Sequence, residues 1–249
     1  MKLKDKVALI TGANSGIGNA IAKLFVKEGS HVILVDIKEG SKALENIQKA
    51  KADHVKVHFM TANISNENEV ERMIDEAINI HGRIDILVNN AGILTQSPLE
   101  NMSIDMWDEM IRVNLRGTFL CCKYILPYML ENEFGRIINI SSQLAQIGGV
   151  DLTHYCAAKA GVIGFTKSLA REVGDKGITV NCIAPGPTET NLIKDLSDEW
   201  KTEKKKELVI PRFGKPEEIA PTALFLASEP DGNLYTGQTL GPNSGDVML

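Results

Sequence analysis

The sequence predicts an α/β fold: a Rossmann-type, doubly wound parallel β-sheet of about seven strands flanked by helices, in a single domain. Three observations carry this. Short runs rich in Val and Ile alternate with amphipathic segments of helical period along the whole chain. The strands are near-continuously apolar, as parallel strands covered on both faces are. No linker, repeat or low-complexity tract interrupts the alternation, and 249 residues suffice for one large core.

The elements follow in order. Residues 7–11 read as a first strand and 16–28 as a helix, with Ile17, Ile21, Leu24 and Phe25 on one face and Gly29 ending it. Strands are expected at 31–36, 55–60, 84–89, 136–141, 178–184 and 238–241. Helices are expected at 41–51, 66–81, 155–174 and 217–227, with one long helix or two in tandem over 103–131. Residues 186–215 are irregular, with Lys201, Lys204, Lys205 and Lys206 among acids that include Asp195. A solvated charged helix face is the plain reading, and a docking patch for an acidic partner is the sharper one.

Composition excludes several classes. A net charge of −5 lacks the basic excess of a nucleic-acid binder. No apolar run reaches the roughly 18 residues needed to span a bilayer. The apolar stretch at 7–10 is too short for a signal-peptide core, so a cytoplasmic location is expected. Cys121, Cys122, Cys156 and Cys182 show no C-x-x-C spacing and read as reduced core residues. No metal site is expected, since the histidines form no H-E-x-x-H. A serine hydrolase would need a G-x-S-x-G elbow, and there is none.

Between the first strand and first helix lies Thr11-Gly12-Ala13-Asn14-Ser15-Gly16-Ile17-Gly18. Glycine permits a tight turn and close approach of a pyrophosphate, and the helix start supplies free N–H groups. Asp36 ends the second strand 18 residues after Gly18. A carboxylate there accepts hydrogen bonds from ribose hydroxyls and repels a 2′-phosphate, and neither Asn14 nor Ser15 offers a cation. NAD(H) is therefore favoured, with NADP(H) possible through Lys38.

These residues, with Asn89-Asn90-Ala91-Gly92, Asn114, Ser142, Tyr155-Cys156-Ala157-Ala158-Lys159, Pro185-Gly186 and Thr190, resemble the short-chain dehydrogenase/reductase family over nearly the whole chain. Within it the likeness is to 3-oxoacyl-(acyl-carrier-protein) reductase-like members. The resemblance implies hydride transfer between NAD(P)(H) and a secondary alcohol or ketone. It implies Asn114, Ser142, Tyr155 and Lys159 as the catalytic set, with Ser142 polarising the substrate oxygen and Asn114 holding a water that relays protons to Lys159. Lys159 holds the nicotinamide ribose, Thr190 and the Thr188 backbone meet the carboxamide, and Asn90, Ala91 and Gly92 flank the ribose with Asn89. Pro185 and Gly186 complete the cofactor wall. Asn63, before Ile64, stands where the family usually has an adenine-contacting aspartate. Carrier-type reductases often place a basic residue in the glycine turn, where this chain has Asn14 and Ser15. A homotetramer is implied, with helices around 105–128 and 154–174 packing across a twofold axis.

The residues support the catalytic reading physically. Tyr155 and Lys159, four apart, share one helix face. A cation about 4 Å from a phenol, at an effective dielectric near 20, is worth roughly 4 kcal/mol, enough to bring its pKa down by up to about 3 units. His154 should point away, to the pocket edge or an interface. Residues 188–212 are expected to form a substrate lid with Trp200, and the substrate walls to come from 94–99, 143–152 and 192–210. A regulator that binds dinucleotide without catalysis is the non-enzyme alternative, and the presence of both Tyr155 and Lys159 argues against it.

Overall fold

The computed structural model describes residues 1–194 and 197–248. Asp195, within the acidic residues noted above, lies outside the described residues, as does Leu196 in the expected lid. Seven parallel strands form one sheet in the order β3-β2-β1-β4-β5-β6-β7. They are β1 (Val7–Thr11), β2 (His31–Asp36), β3 (Val57–Thr61), β4 (Ile86–Asn89), β5 (Gly135–Ile140), β6 (Ile178–Ile183) and β7 (Thr239–Leu240). The order reverses between β1 and β4, which places a crevice at their carboxyl ends.

Helices α1 (Gly16–Lys27), α2 (Ser41–Ala50), α3 (Glu67–His81), α4 (Ile104–Ile111), α5 (Gly117–Glu131), α6 (Leu144–Ile147), α7 (Thr153–Val173), α8 (Asp198–Glu207) and α9 (Pro216–Ala227) connect and cover it. Two apolar layers result. Phe25, Ile21 and Ile219 pack on one sheet face, and Ile74, Ile125 and Leu169 on the other. Burial on both faces is why the strands read as continuous rather than alternating.

The expected elements recur with small shifts, each with a local cause. β3 starts at Val57 because Val55 closes a turn, its N–H donating to Ala52 O at 3.0 Å; its side chain is apolar because it is buried, not because it is strand. Asn66 is not the first turn of α3 but its cap, accepting from the N–H groups of Asn68 and Glu69. The long helix is continuous through a π-helical turn, Arg112–Arg116, which joins α4 to α5. The short α6 escapes a periodicity reading, since four residues complete barely one turn.

Candidate active site

A cavity of about 510 Å³ opens along the crevice. At one end lies the β1–α1 turn. Gly12 has φ +65°, and a Cβ there would stand 2.8 Å from Ala91 Cα, so the position demands glycine. Thr11 Oγ1 accepts the N–H groups of Asn90 and Ala91 at 3.0 and 3.1 Å, locking the β4 loop against the turn. Asn19 Nδ2 holds Ala13 O from below at 3.0 Å. Ser15, Gly16 and Ile17 line the cavity. Ser15 caps α1 by position only. Its side chain makes no capping bond and the first turn has no acid, whereas Asn66, Ser103 and Ser197 cap their own helices. The first N–H groups of α1 thus face the cavity without a protein partner, which suits an anion such as a pyrophosphate.

Asp36 lies in the wall beside that turn. Its carboxylate accepts from the N–H of Asn14 at 3.1 Å and of Ile37 at 2.8 Å, which fixes its orientation. Asn14 is turned away from the cavity, donating its side-chain amide to Lys38 O at 2.7 Å. Lys38 does not line the cavity. Gly18 does not line it either. It lies within α1, where a Cβ would come 2.5 Å from Asn90 Nδ2 and 2.6 Å from Gly12 O. Two of the expected contact residues therefore shape the turn and do not line the cavity. Asn63 and Ile64 do line the wall. Asn63 Oδ1 is taken by Ser65, at 3.0 Å from its N–H and 2.8 Å from its hydroxyl, so Asn63 offers a donor rather than an acceptor.

Toward the middle, Asn90, Ala91, Gly92, Asn114, Ser142, Tyr155, Lys159, Pro185, Gly186, Thr188 and Thr190 all border the same cavity. Asn89 does not; it is buried, donating to Asn139 Oδ1 at 2.9 Å. Asn114 sits in the π turn. Its Oδ1 accepts from Ile93 N–H at 3.0 Å and its Nδ2 donates to Ile93 O at 2.9 Å. Both ends of the amide are thus spent on the β4 loop. A methyl placed on Gly92 would meet Asn114 Oδ1 at 2.4 Å and Lys159 Nζ at 3.5 Å, so the three converge on one point.

The expected lowering of the Tyr155 phenol does not occur in this structure. Burial pushes it up to about 12, and only a hydrogen bond with Ser142 works the other way. Lys159 Nζ lies 5.9 Å from the ring centre and is directed at Ile140 O, 2.8 Å away. Burial pulls Lys159 itself down to about 8. Desolvation is the dominant cause of both shifts. His154 is also corrected. It is wholly buried, with Nε2 2.8 Å from Thr95 Oγ1, and lines neither the cavity nor the surface.

At the far end the walls are Leu94, Leu144, Leu152, Leu192 and Ile193, from the expected segments. Glu109 and Val113 join them from α4 and the π turn, which the sequence gave no reason to single out. On α8, Trp200 and Lys204, one turn apart, also face the cavity. The charged helix is therefore not a solvated face throughout. Lys206 pairs outward with Glu203 at 2.6 Å, while Lys204 turns in. Three histidines scattered in sequence meet elsewhere: His58 Nδ1 is 2.7 Å from His81 Nε2, with His31 alongside, and the H-x-x-x-H spacing of His54 and His58 falls on a turn and β3, not on a helix. Among the described residues no group of three or more potential ligands is arranged to hold a metal.

The model of the short chain dehydrogenase family matches residues 6–201. The 3-oxoacyl-(acyl-carrier-protein) reductase of Thermotoga maritima is 40% identical over 249 residues, covering 100% of both chains. That of Aquifex aeolicus is 41% identical over 246 residues, 98% of each. Among solved structures, levodione reductase superposes with a TM-score of 0.92 at 33% identity, over 98% of each chain.

Proposed function

Since this chain belongs to the short-chain dehydrogenase family and is an NAD(P)-dependent oxidoreductase, we propose that it interconverts a secondary alcohol and a ketone with NAD(H) as the favoured cofactor. One observation carries the reading: Tyr155 and Lys159, one helical turn apart, border the same cavity as the uncapped start of α1 and the Asp36 carboxylate. Bound there, the nicotinamide cofactor supplies or takes the hydride.

The chain's own groups do the rest. The α1 start and Gly12 receive the pyrophosphate, and Asp36 accepts from the adenosine ribose hydroxyls. Its negative charge repels a 2′-phosphate, which supports NAD over NADP. Asn63 turns its Nδ2 toward the adenine, and Thr188 and Thr190 hold the carboxamide end. Lys159 donates to the nicotinamide ribose. Ser142 donates to the substrate oxygen. In the reducing direction Tyr155 gives its phenolic proton to that oxygen, and a phenol kept neutral by burial is in the right form to do so. Asn114 positions the Gly92–Ile93 backbone next to Lys159; with its side chain engaged, its main-chain carbonyl, which also accepts the Thr118 hydroxyl at 3.3 Å, is the group to hold a relay water.

Residues 188–212 serve as the lid, with Trp200 over the substrate. The same reading makes the chain a homotetramer. Phe119 on α5 is half exposed and meets Phe165 of α7 edge-on, an apolar pair facing outward on the two helices expected at the twofold axis. A cytoplasmic location suits four free cysteines, three of them buried. A 3-oxoacyl group on a carrier protein is the second substrate reading, favoured by the full-length identity to reductases of that name. A panel of neutral ketones, 3-oxoacyl thioesters and sugars, followed by NADH and NADPH absorbance, tests the proposal. Consumption of NADH with at least one ketone is expected, and none with either cofactor overturns it.

A further inference from the structure

The substrate end of the cavity contains a charge cluster that spans three segments. Lys204 of the lid helix lies 2.8 Å from Asp246 in the C-terminal tail and 2.8 Å from Glu207. Its side chain is 16% exposed and that of Asp246 only 7%, whereas Glu207 is open to water. The Asp246 carboxylate also accepts from Gln143 Nε2, and Gln143 directly follows Ser142. The amide must present its nitrogen to a carboxylate, so its orientation is fixed by chemistry. The tail is itself fastened to the end of the lid. Ile210 N–H donates to Ser244 O at 3.0 Å, and Ser244 Oγ to Arg212 O at 3.2 Å.

Among the described residues that line the cavity, Lys159 and Lys204 are the only cations. Lys159 is buried on Ile140 O at the centre of the site. Lys204 is the one cation that the described lid residues turn into this cavity, and two carboxylates hold it. A substrate carboxylate or phosphate arriving there would meet a neutralised lysine with a buried aspartate behind it. It would lose its hydration without gaining a free counter-ion. The other walls at that end include leucine, isoleucine, Val113 and Trp200, which accept an uncharged body, and Glu109, which offers an anion no counter-ion.

We propose that Asp246, by holding Lys204 and Gln143, makes this site selective for neutral ketones over keto acids, and that it is a specificity-determining residue on the C-terminal tail. The inference rests on the oxidoreductase reading above and deepens it by naming the charge class of the substrate. Asp246 acts through Lys204 and Gln143, so it is a positioning residue.

The test is a matched pair of probes, methyl acetoacetate and acetoacetate, with full-length enzyme and NADH. The parent should favour the ester at least tenfold in kcat/KM. Asp246→Asn, which keeps the shape and removes the charge, should shift the acid-to-ester ratio toward the acid at least fivefold, through KM for the acid, with the KM for NADH unchanged. Glu207→Gln, at an exposed position, should shift it the same way by less, and serves if Asp246→Asn does not fold. Equal use of acid and ester by the parent, or an unchanged ratio in the variants, overturns the inference. Quenching of tryptophan fluorescence by each probe gives the same ratio without turnover. Binding that favours the ester, with no turnover of either probe or of any ketone in the panel above, would sustain the selectivity and sink the alcohol–ketone reading.

Discussion

The ammonium of Lys159 donates to the main-chain carbonyl of Ile140 at 2.8 Å. That one bond replaces the water the group loses on burial, and it does so incompletely, since the pKa falls from 10.5 to about 8. Between those values the unfolded chain keeps the lysine proton and the folded chain has released it. The unfolded state binds more protons, so stability rises with pH across this window. The shift corresponds to about 3 kcal/mol. Lys159→Met should abolish that rise. Urea melts from pH 7.5 to 10.5, read as the parent-minus-variant difference, check it. A difference that stays flat would mean that Lys159 is not desolvated as described.

Tyr155→Phe removes the proton and leaves the ring packed. Turnover should drop by about 10² to 10⁴, the usual worth of a positioned acid–base. Affinity for NAD should stay within about twofold, because the phenol oxygen is not needed to hold the cofactor. Steady-state kinetics and a cofactor titration separate the two, and retention of more than a tenth of parental turnover removes Tyr155 from its role.

Asp36→Ala should raise the KM for NAD by about tenfold or more, since hydrogen bonds to a charged group are worth about 1.5–3 kcal/mol each. The kcat/KM for NADP should rise relative to that for NAD. A parent that already prefers NADP would show that the Asp36 carboxylate does not select the cofactor.

Gly18→Ala tests the turn itself. The added carbon must displace Asn90 Nδ2 or Gly12 O, which are 2.5 and 2.6 Å away. A loss of about 1–3 kcal/mol is expected from such overpacking. Denaturant melts measure it, and an unchanged midpoint would contradict the packing.

Phe119→Glu should dissociate the proposed tetramer. Light scattering on a sizing column should give four times the 27.2 kDa chain mass for the parent and less for the variant. A parent that runs as a fully active 27.2 kDa monomer would end both the assembly and any part it has in the site.

The sequence alone determined the order of strands and helices, because burial of a parallel sheet on both faces leaves runs of Val and Ile that a single chain displays openly. It also pointed to residues that border one cavity, among them Gly12, Asp36, Tyr155 and Lys159, because glycine in a turn, a carboxylate at a strand end and Tyr155 four residues before Lys159 are local patterns. What it misjudged depends on distance through space. Burial raised the Tyr155 pKa where sequence spacing argued for lowering, since spacing gives proximity to a cation but not the loss of water around both groups. Asn14 and Gly18 stand in the right motif yet face Lys38 and Asn90. The joining of Gln143 to Asp246, 103 residues apart, was decided only when β5, the tail and the lid came together. No local pattern encodes such a pair, because charges distant along the chain become partners only through the packing that removes them from water.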